Sequence, residues 1–147
     1  MKRSEFLLGG EDINKIKVDQ VMEGNVRPCY PTTMWKDIAL TLVAGGYGSL
    51  PVIDSERNLI GIVSEYDLLR VLNTGKDENE ITAQDIMTKK TVTVMEETPI
   101  MDVIKLLEDK HLIRVPVVKG KKLVGIVARR DILLCHLKAT AKAPSLL

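Results

Sequence analysis

Apolar residues recur at helical spacing in two places along the chain. Trp35, Ile38, Ala39, Leu42 and Val43 fall at i, i+3, i+4, i+7 and i+8, and Ile100, Val103, Ile104 and Leu107 repeat the stripe. Each stripe predicts a helix with one buried face. A Thr stands before each as the expected N-cap, Thr33 or Thr98, and Pro99 takes the favoured first helical position. Two short apolar runs follow each helix, Leu50-Pro51-Val52-Ile53 with Leu59-Ile60-Gly61-Ile62-Val63, and Val115-Pro116-Val117-Val118 with Leu123-Val124-Gly125-Ile126-Val127. With the polar turns Asp54-Ser55-Glu56-Arg57-Asn58 and Lys119-Gly120-Lys121-Lys122 between them, they predict two β-hairpins. Pro51 and Pro116 bring no N–H to a ladder, so their strands belong at an edge or a bulge. A further helix starts at Glu65 or Arg129, and Val26 and Val92 to Val94 are candidates for one more strand ahead of each first helix.

The two passages are copies of one unit. A shift of 65 superposes Met22/Met87, Thr33/Thr98, Asp37/Asp102, Leu42/Leu107, Pro51/Pro116 and Val52/Val117. One residue fewer in the second hairpin turn changes the shift to 64. It then superposes Leu59/Leu123, Gly61/Gly125, Ile62/Ile126, Val63/Val127, Asp67/Asp131 and Leu69/Leu133. The layout is a segment 1–17, a first repeat 18–72, a polar linker 73–82, a second repeat 83–138 and a tail 139–147. Either repeat alone is too small to bury a comfortable core, so the two are expected to fold against each other.

Composition narrows the class. The 147 residues are 45% apolar and 28% charged, which is an ordinary globular balance. The net charge of +1 argues against a general nucleic-acid binder. Two cysteines, Cys29 and Cys135, make neither a disulfide framework nor a metal-ligand spacing. Phe6-Leu7-Leu8 is too short for the apolar core of a secretion signal, and no run approaches the ~18 apolar residues of a membrane span. A cytoplasmic chain without membrane contact is expected.

Catalytic chemistry has no foothold here. His111 and His136 lack a nucleophile or ligand partner at a meaningful spacing, and His111 reads as a cation at a helix C-terminus. Neither catalysis nor a metal is expected. The informative residues lie where the last strand of each repeat meets its last helix, Gly61-Ile62-Val63-Ser64-Glu65-Tyr66-Asp67 and Gly125-Ile126-Val127-Ala128-Arg129-Arg130-Asp131. A strand running into a helix N-terminus offers free N–H groups and positive dipole to a polar ligand. An ionised Asp beside them accepts two adjacent hydroxyls, as on a ribose diol. Ser64-x-x-Asp67 is equally a helix cap, but the second copy keeps Asp131 with Ala128 in place of the Ser. Arg129 and Arg130 in a first helical turn oppose the dipole unless an anion lies near, and Arg114 enters the adjoining strand with a fork suited to phosphate.

The ordered set Met22/Met87, Thr33/Thr98, Leu-Pro-Val-Ile or Val-Pro-Val-Val, then Gly-Ile-Val-x-x-x-Asp, resembles the cystathionine-β-synthase (CBS) domain. Two in tandem resemble a Bateman module, over residues ~18 to 138. The resemblance implies an α+β fold of two β-α-β-β-α repeats, related by a pseudo-twofold and packed sheet to sheet. It also implies two clefts that take AMP, ADP, ATP or S-adenosylmethionine as a regulatory ligand. Carried over residue by residue, one cleft has Ser64 and Asp67 with Thr91, Val92, Thr93, Ile113 and Arg114. The other has Asp131, Arg129 and Arg130 with Val26, Arg27, Pro28, Gly48 and Ser49. Ala128 and the run Gly45-Gly46-Tyr47-Gly48 depart from the family pattern and weaken the second cleft. The expected function is a homodimeric sensor of adenosine compounds that signals to a separate effector protein. The alternative is a ligand-free dimerisation scaffold whose Asp67 and Asp131 are helix caps.

Overall fold

The computed structural model describes residues 12–139; the first eleven residues and nearly all of the expected tail lie outside them. The fold is α+β. The first amphipathic stripe forms α1 (Trp35–Gly45), which buries Ile38 and Leu42, while Val43 at the end of the expected stripe is 80% exposed. Two turns into the helix the apolar row has rotated past the core. The hairpin β1 (Ser49–Ile53) and β2 (Leu59–Ser64) follows, then α2 (Glu65–Thr74) and the single turn α3 (Ala83–Ile86). The second repeat supplies α4 (Ile100–Lys110), which buries Ile100, Val103 and Leu107, then β3 (Arg114–Lys119), β4 (Lys122–Ala128) and α5 (Arg129–Ala139).

Thr33 and Thr98 do not cap the first helices. Their Oγ1 atoms accept from the N–H groups of Tyr30 (2.9 Å) and Met95 (3.0 Å), and the helices start two residues later behind Met34 and Pro99. A threonine hydroxyl so engaged holds the preceding turn instead of the helix. Pro99 accordingly stands at the cap and not inside the first turn. Gly46 ends α1 in the left-handed conformation (φ 67°), and its counterpart His111 ends α4 in the same conformation (φ 53°).

In β1, the register runs from Ser49 opposite Ser64 to Ile53 opposite Leu59, with an irregularity between Val52 and Ile53. On the other side β1 has one parallel bridge, Cys29 to Val52, and β3 has its equivalent, Val94 to Val117. No strand forms at Val26 or over Val92 to Val94; the bridges to β1 and β3 fall at Cys29 and at Val94. Pro51 serves as an acceptor there, from the Cys29 N–H (2.9 Å), which asks nothing of its missing donor.

Two compact units emerge, and they do not coincide with the sequence repeats. One holds residues 27–91 with 121–123; among the described residues the other holds 12–26, 92–120 and 124–139. The opening segment of each repeat therefore completes the unit built on the other repeat. In the first unit, Ala83 N–H donates to the Thr33 carbonyl and Trp35 N–H to the Ile81 carbonyl, both at 2.9 Å. In the second, Val18 N–H donates to Thr98 and Ile100 N–H to Ile16, again at 2.9 Å. Met87 lies over Gly61 and Met22 over Gly125, so close that a Cβ on either glycine would meet methionine sulfur at 2.6 and 2.7 Å. The repeated Met and the repeated Gly are thus two halves of one contact.

Each unit has its own apolar core. The first is built on Cys29, Ile38, Leu42, Leu50, Val52, Val63, Leu68 and Ala83. The second uses Val18, Val21, Met22, Ile100, Val103, Leu107, Val115, Val117, Val127, Ile132 and Cys135, among others. Burial pushes the Cys29 thiol up to about 11 and raises that of Cys135. Both thiols are therefore expected to resist a disulfide reagent at pH 8 in the folded chain and to react at once in guanidinium. Rapid modification of either one in native buffer would contradict this packing.

Candidate functional site

The first junction is built by the turn from β2 into α2. Ser64 is extended (φ −106°, ψ 165°) and caps the helix, its Oγ accepting from the Asp67 N–H at 3.3 Å. Asp67 answers with Oδ2, which accepts from the Ser64 N–H at 2.8 Å and from its hydroxyl at 3.0 Å. The expected cap is therefore present. Oδ1 remains outside that cap and accepts from Arg70 Nη1 at 2.6 Å. Asp67 is only 7% exposed, whereas the Arg70 side chain is 71% exposed. A buried carboxylate of this kind, its Oδ2 held by two donors, turns Oδ1 toward an exposed guanidinium.

The second junction runs from β4 into α5. Asp131 is 3% exposed, and its Oδ2 accepts from the Ala128 N–H at 3.0 Å. The backbone half of the capping box survives although Ala128 has no hydroxyl to complete it. Arg129 and Arg130 stand exposed in the first turn of α5.

Backbone bonds decide which expected residues meet. Glu65 N–H donates to the Gly48 carbonyl at 3.1 Å, and Ser49 pairs with Ser64, so Gly48 and Ser49 lie against the first junction. In the matching place Arg129 N–H donates to Ile113 at 2.9 Å, which sets Ile113 and the adjacent Arg114 at the second junction. Arg27 and Pro28 lead into Cys29 beside β1, and Val92 and Thr93 lead into Val94 beside β3. Thr91, Arg27, Pro28, Gly48 and Ser49 thus belong to the unit of Asp67, and Val26, Val92, Thr93, Ile113 and Arg114 to that of Asp131. The units keep Thr91 with Asp67 and Val26 with Asp131, as the carried-over grouping has them, and set the other loop residues beside the Asp of their own repeat.

Arg70, Lys76 and Asp85 stand outside the residues carried over from the family pattern. A pocket of about 230 Å³ opens beside Asp67, lined also by Arg70, Val71, Thr74, Lys76, Ile81, Asp85 and Ile86. The Thr82 N–H, and after it the Thr82 hydroxyl, hold the Asp85 carboxyl below its usual value, and Lys76 adds to the effect. The polar wall of the pocket is therefore two carboxylates and two cations, Arg70 and Lys76. The i, i+3 spacing of Asp67 and Arg70 was the signal that could have found the first of them. In the other unit, α4 and α5 flank a largely apolar groove of about 590 Å³ lined by Ile104, Leu107, Leu112, Ile132 and Leu133, with Glu108, His111, Arg129 and His136 at its polar positions. No group of three or more potential metal ligands occurs among the described residues, and none of their helices is long and apolar enough to cross a membrane.

The model of one family, described as the CBS domain, matches twice, over residues 18–74 and 83–137. An uncharacterised protein of Methanopyrus kandleri is 34% identical over 123 residues, which are 82% of this chain and 63% of that protein. An uncharacterised protein of Bacillus subtilis is 32% identical over 119 residues, 80% of each. The chain thus spans less than two thirds of the Methanopyrus relative. Among solved structures, CBSX2 in complex with AMP is 30% identical over 84% of this chain and 98% of that one, with a TM-score of 0.76. CBSX2 is a CBS-pair protein from Arabidopsis thaliana. The CBS domain pair of MJ0100, in complex with 5′-methylthioadenosine and S-adenosyl-L-methionine, is 25% identical over 80% of this chain and 97% of that one, with a TM-score of 0.71.

Proposed function

This chain belongs to the CBS domain family and carries two such domains in tandem, and from that premise we propose that it is a regulatory module that binds an adenosine compound. One observation carries the reading. Each repeat buries a carboxylate at the same strand-to-helix junction, Asp67 at 7% and Asp131 at 3% exposure, and keeps it although the neighbouring hydroxyl is present in one copy and absent from the other. Burying an ionised carboxylate is costly unless it is paired and hydrogen-bonded, so an acceptor kept buried in both copies supports a role beyond the cap. The complexes of CBSX2 with AMP and of MJ0100 with methylthioadenosine and S-adenosylmethionine support the ligand class. In this reading the ligand makes or breaks no bond. It stabilises one arrangement of the chain, and an effector protein responds to the shift.

The test is a thermal-denaturation series with AMP, ADP, ATP and S-adenosylmethionine. A ligand at 100 times its Kd adds roughly 2.7 kcal/mol to folding stability. At least one of the four is expected to do so, and no shift with any of them contradicts the reading. The completed Ser64–Asp67 cap favours a second reading, a ligand-free scaffold, under which every compound leaves the transition unmoved.

Self-association belongs to the same reading. Leu40 and Val43 on α1 and Tyr66, Leu69 and Leu72 on α2 are each more than half exposed, an apolar face within one unit. Large apolar side chains left exposed on two helices that pack against each other support an interaction face. A second copy of the chain is the proposed occupant, which makes the working form a homodimer. Replacing Leu69 by Asp is expected to convert that dimer to a monomer in analytical ultracentrifugation without loss of helix content. A wild-type chain that sediments as a monomer at all concentrations contradicts it.

A further inference from the structure

Arg70 occupies the place where a ligand would have to arrive. Asp67 Oδ2 is committed to the Ser64 N–H and hydroxyl, so a diol can approach only Oδ1, and Arg70 Nη1 is already bonded there at 2.6 Å. The two groups differ in freedom. The carboxylate is 7% exposed and fixed by the helix cap; the guanidinium is at the end of a side chain that is 71% exposed and can move aside. A ligand without charge that takes Oδ1 strips Arg70 of its anion and gives nothing back. A ligand that also carries a phosphate supplies a new one, in the fork geometry that suits guanidinium.

The surroundings provide for such a group. Asp67 and Arg70 share the wall of the 230 Å³ pocket with Lys76, a second cation. Asp85, on the same wall, is already tied through Oδ2 to the Thr82 N–H and hydroxyl at 2.9 and 3.0 Å. Binding sites for whole ligands run to ~300–1,000 Å³, so this pocket suits one end of a nucleotide, not all of it. The repeat contains its own contrast. The counterpart of Arg70 is Leu134, as that of Ser64 is Ala128, so the second junction lacks this residue at this position.

We infer that Arg70 is the specificity-determining residue of the Asp67 site, selecting adenosine compounds that bear a phosphate over those that do not. The inference rests on the reading of Asp67 as an adenosine site. The test is a titration of the isotope-labelled full chain with AMP and with adenosine, followed by NMR at the Ser64 and Asp67 amides so that the second junction does not enter. Wild type is expected to bind AMP about tenfold or more tighter than adenosine, a gap of about 1.4 kcal/mol. Arg70→Leu is expected to close most of that gap, AMP weakening while adenosine gains from the uncovered Oδ1, and Arg70→Lys is expected to retain part of it. Binding of both ligands with the same ratio in wild type and Arg70→Leu overturns the role of Arg70 and leaves the adenosine site standing. If neither ligand moves these amides in any of the three chains, the adenosine site itself falls, and the inference with it.

Discussion

Replacing Gly125 with Val is expected to lower folding stability by about 1–3 kcal/mol, the usual cost of forcing extra atoms into a packed site. The glycine lies in β4, where valine ordinarily favours the strand, so a loss there has to come from contact. The contact is specific. A Cβ at position 125 would stand 2.7 Å from Met22 Sδ and 3.1 Å from the Glu23 carbonyl oxygen. Glu23 and Ile126 also exchange backbone hydrogen bonds at 2.8 and 3.0 Å, so the neighbouring chain cannot simply back away. Shortening Met22 to Ala in the same chain is expected to return part of the loss, although Met22 and Gly125 belong to different sequence repeats. Urea denaturation of the two single variants and the double variant measures the coupling directly. Losses that merely add would contradict the exchange of opening segments between the repeats.

The second large effect is at Asp67. Asp67→Ala removes the acceptor for the Ser64 N–H and hydroxyl and for Arg70, and a lost helix cap costs about 1–2 kcal/mol. It is also expected to abolish the ligand-induced gain, about 2.7 kcal/mol at 100 times Kd. Asp67→Asn separates the two roles. An amide oxygen still accepts from Ser64, so most of the baseline stability should remain, while an NH2 group in place of Oδ1 weakens the hold on a diol. Thermal denaturation with and without AMP reads both quantities in one experiment. An Asn variant that keeps the full AMP response would assign Asp67 to the cap alone.

How much of this was legible depends on the range of the forces involved. The stripes around Ile38 and Val103 and the hairpins around Pro51 and Pro116 are local patterns, and they appear where the sequence places them. The helix starts at Glu65 and Arg129 were also legible, since a hydroxyl or carboxylate acts on N–H groups three residues away. Thr33 and Thr98 show the limit of that reasoning, because the same hydroxyl finds an equally near N–H in the preceding turn. The exchange of opening segments was illegible for a different reason. Two copies with matching apolar positions fit each other's cores as well as their own, so self-similarity identifies the repeats but not which core each segment enters. At the two junctions the strand-to-helix pattern singles out Asp67 and Asp131, and both are buried, whereas nothing local marks Arg70, because an Asp–Arg pair at i, i+3 looks like any solvated helix face.

The most direct test of the adenosine site is a crystal structure of the full chain grown with AMP. The expected result is a nucleotide whose ribose hydroxyls lie within hydrogen-bond distance, about 2.7 Å, of Asp67 Oδ1, with Arg70 turned from that oxygen onto the phosphate. A structure in which the Asp67–Arg70 pair stays closed at saturating AMP, with the nucleotide absent or bound away from both Asp67 and Asp131, would contradict it.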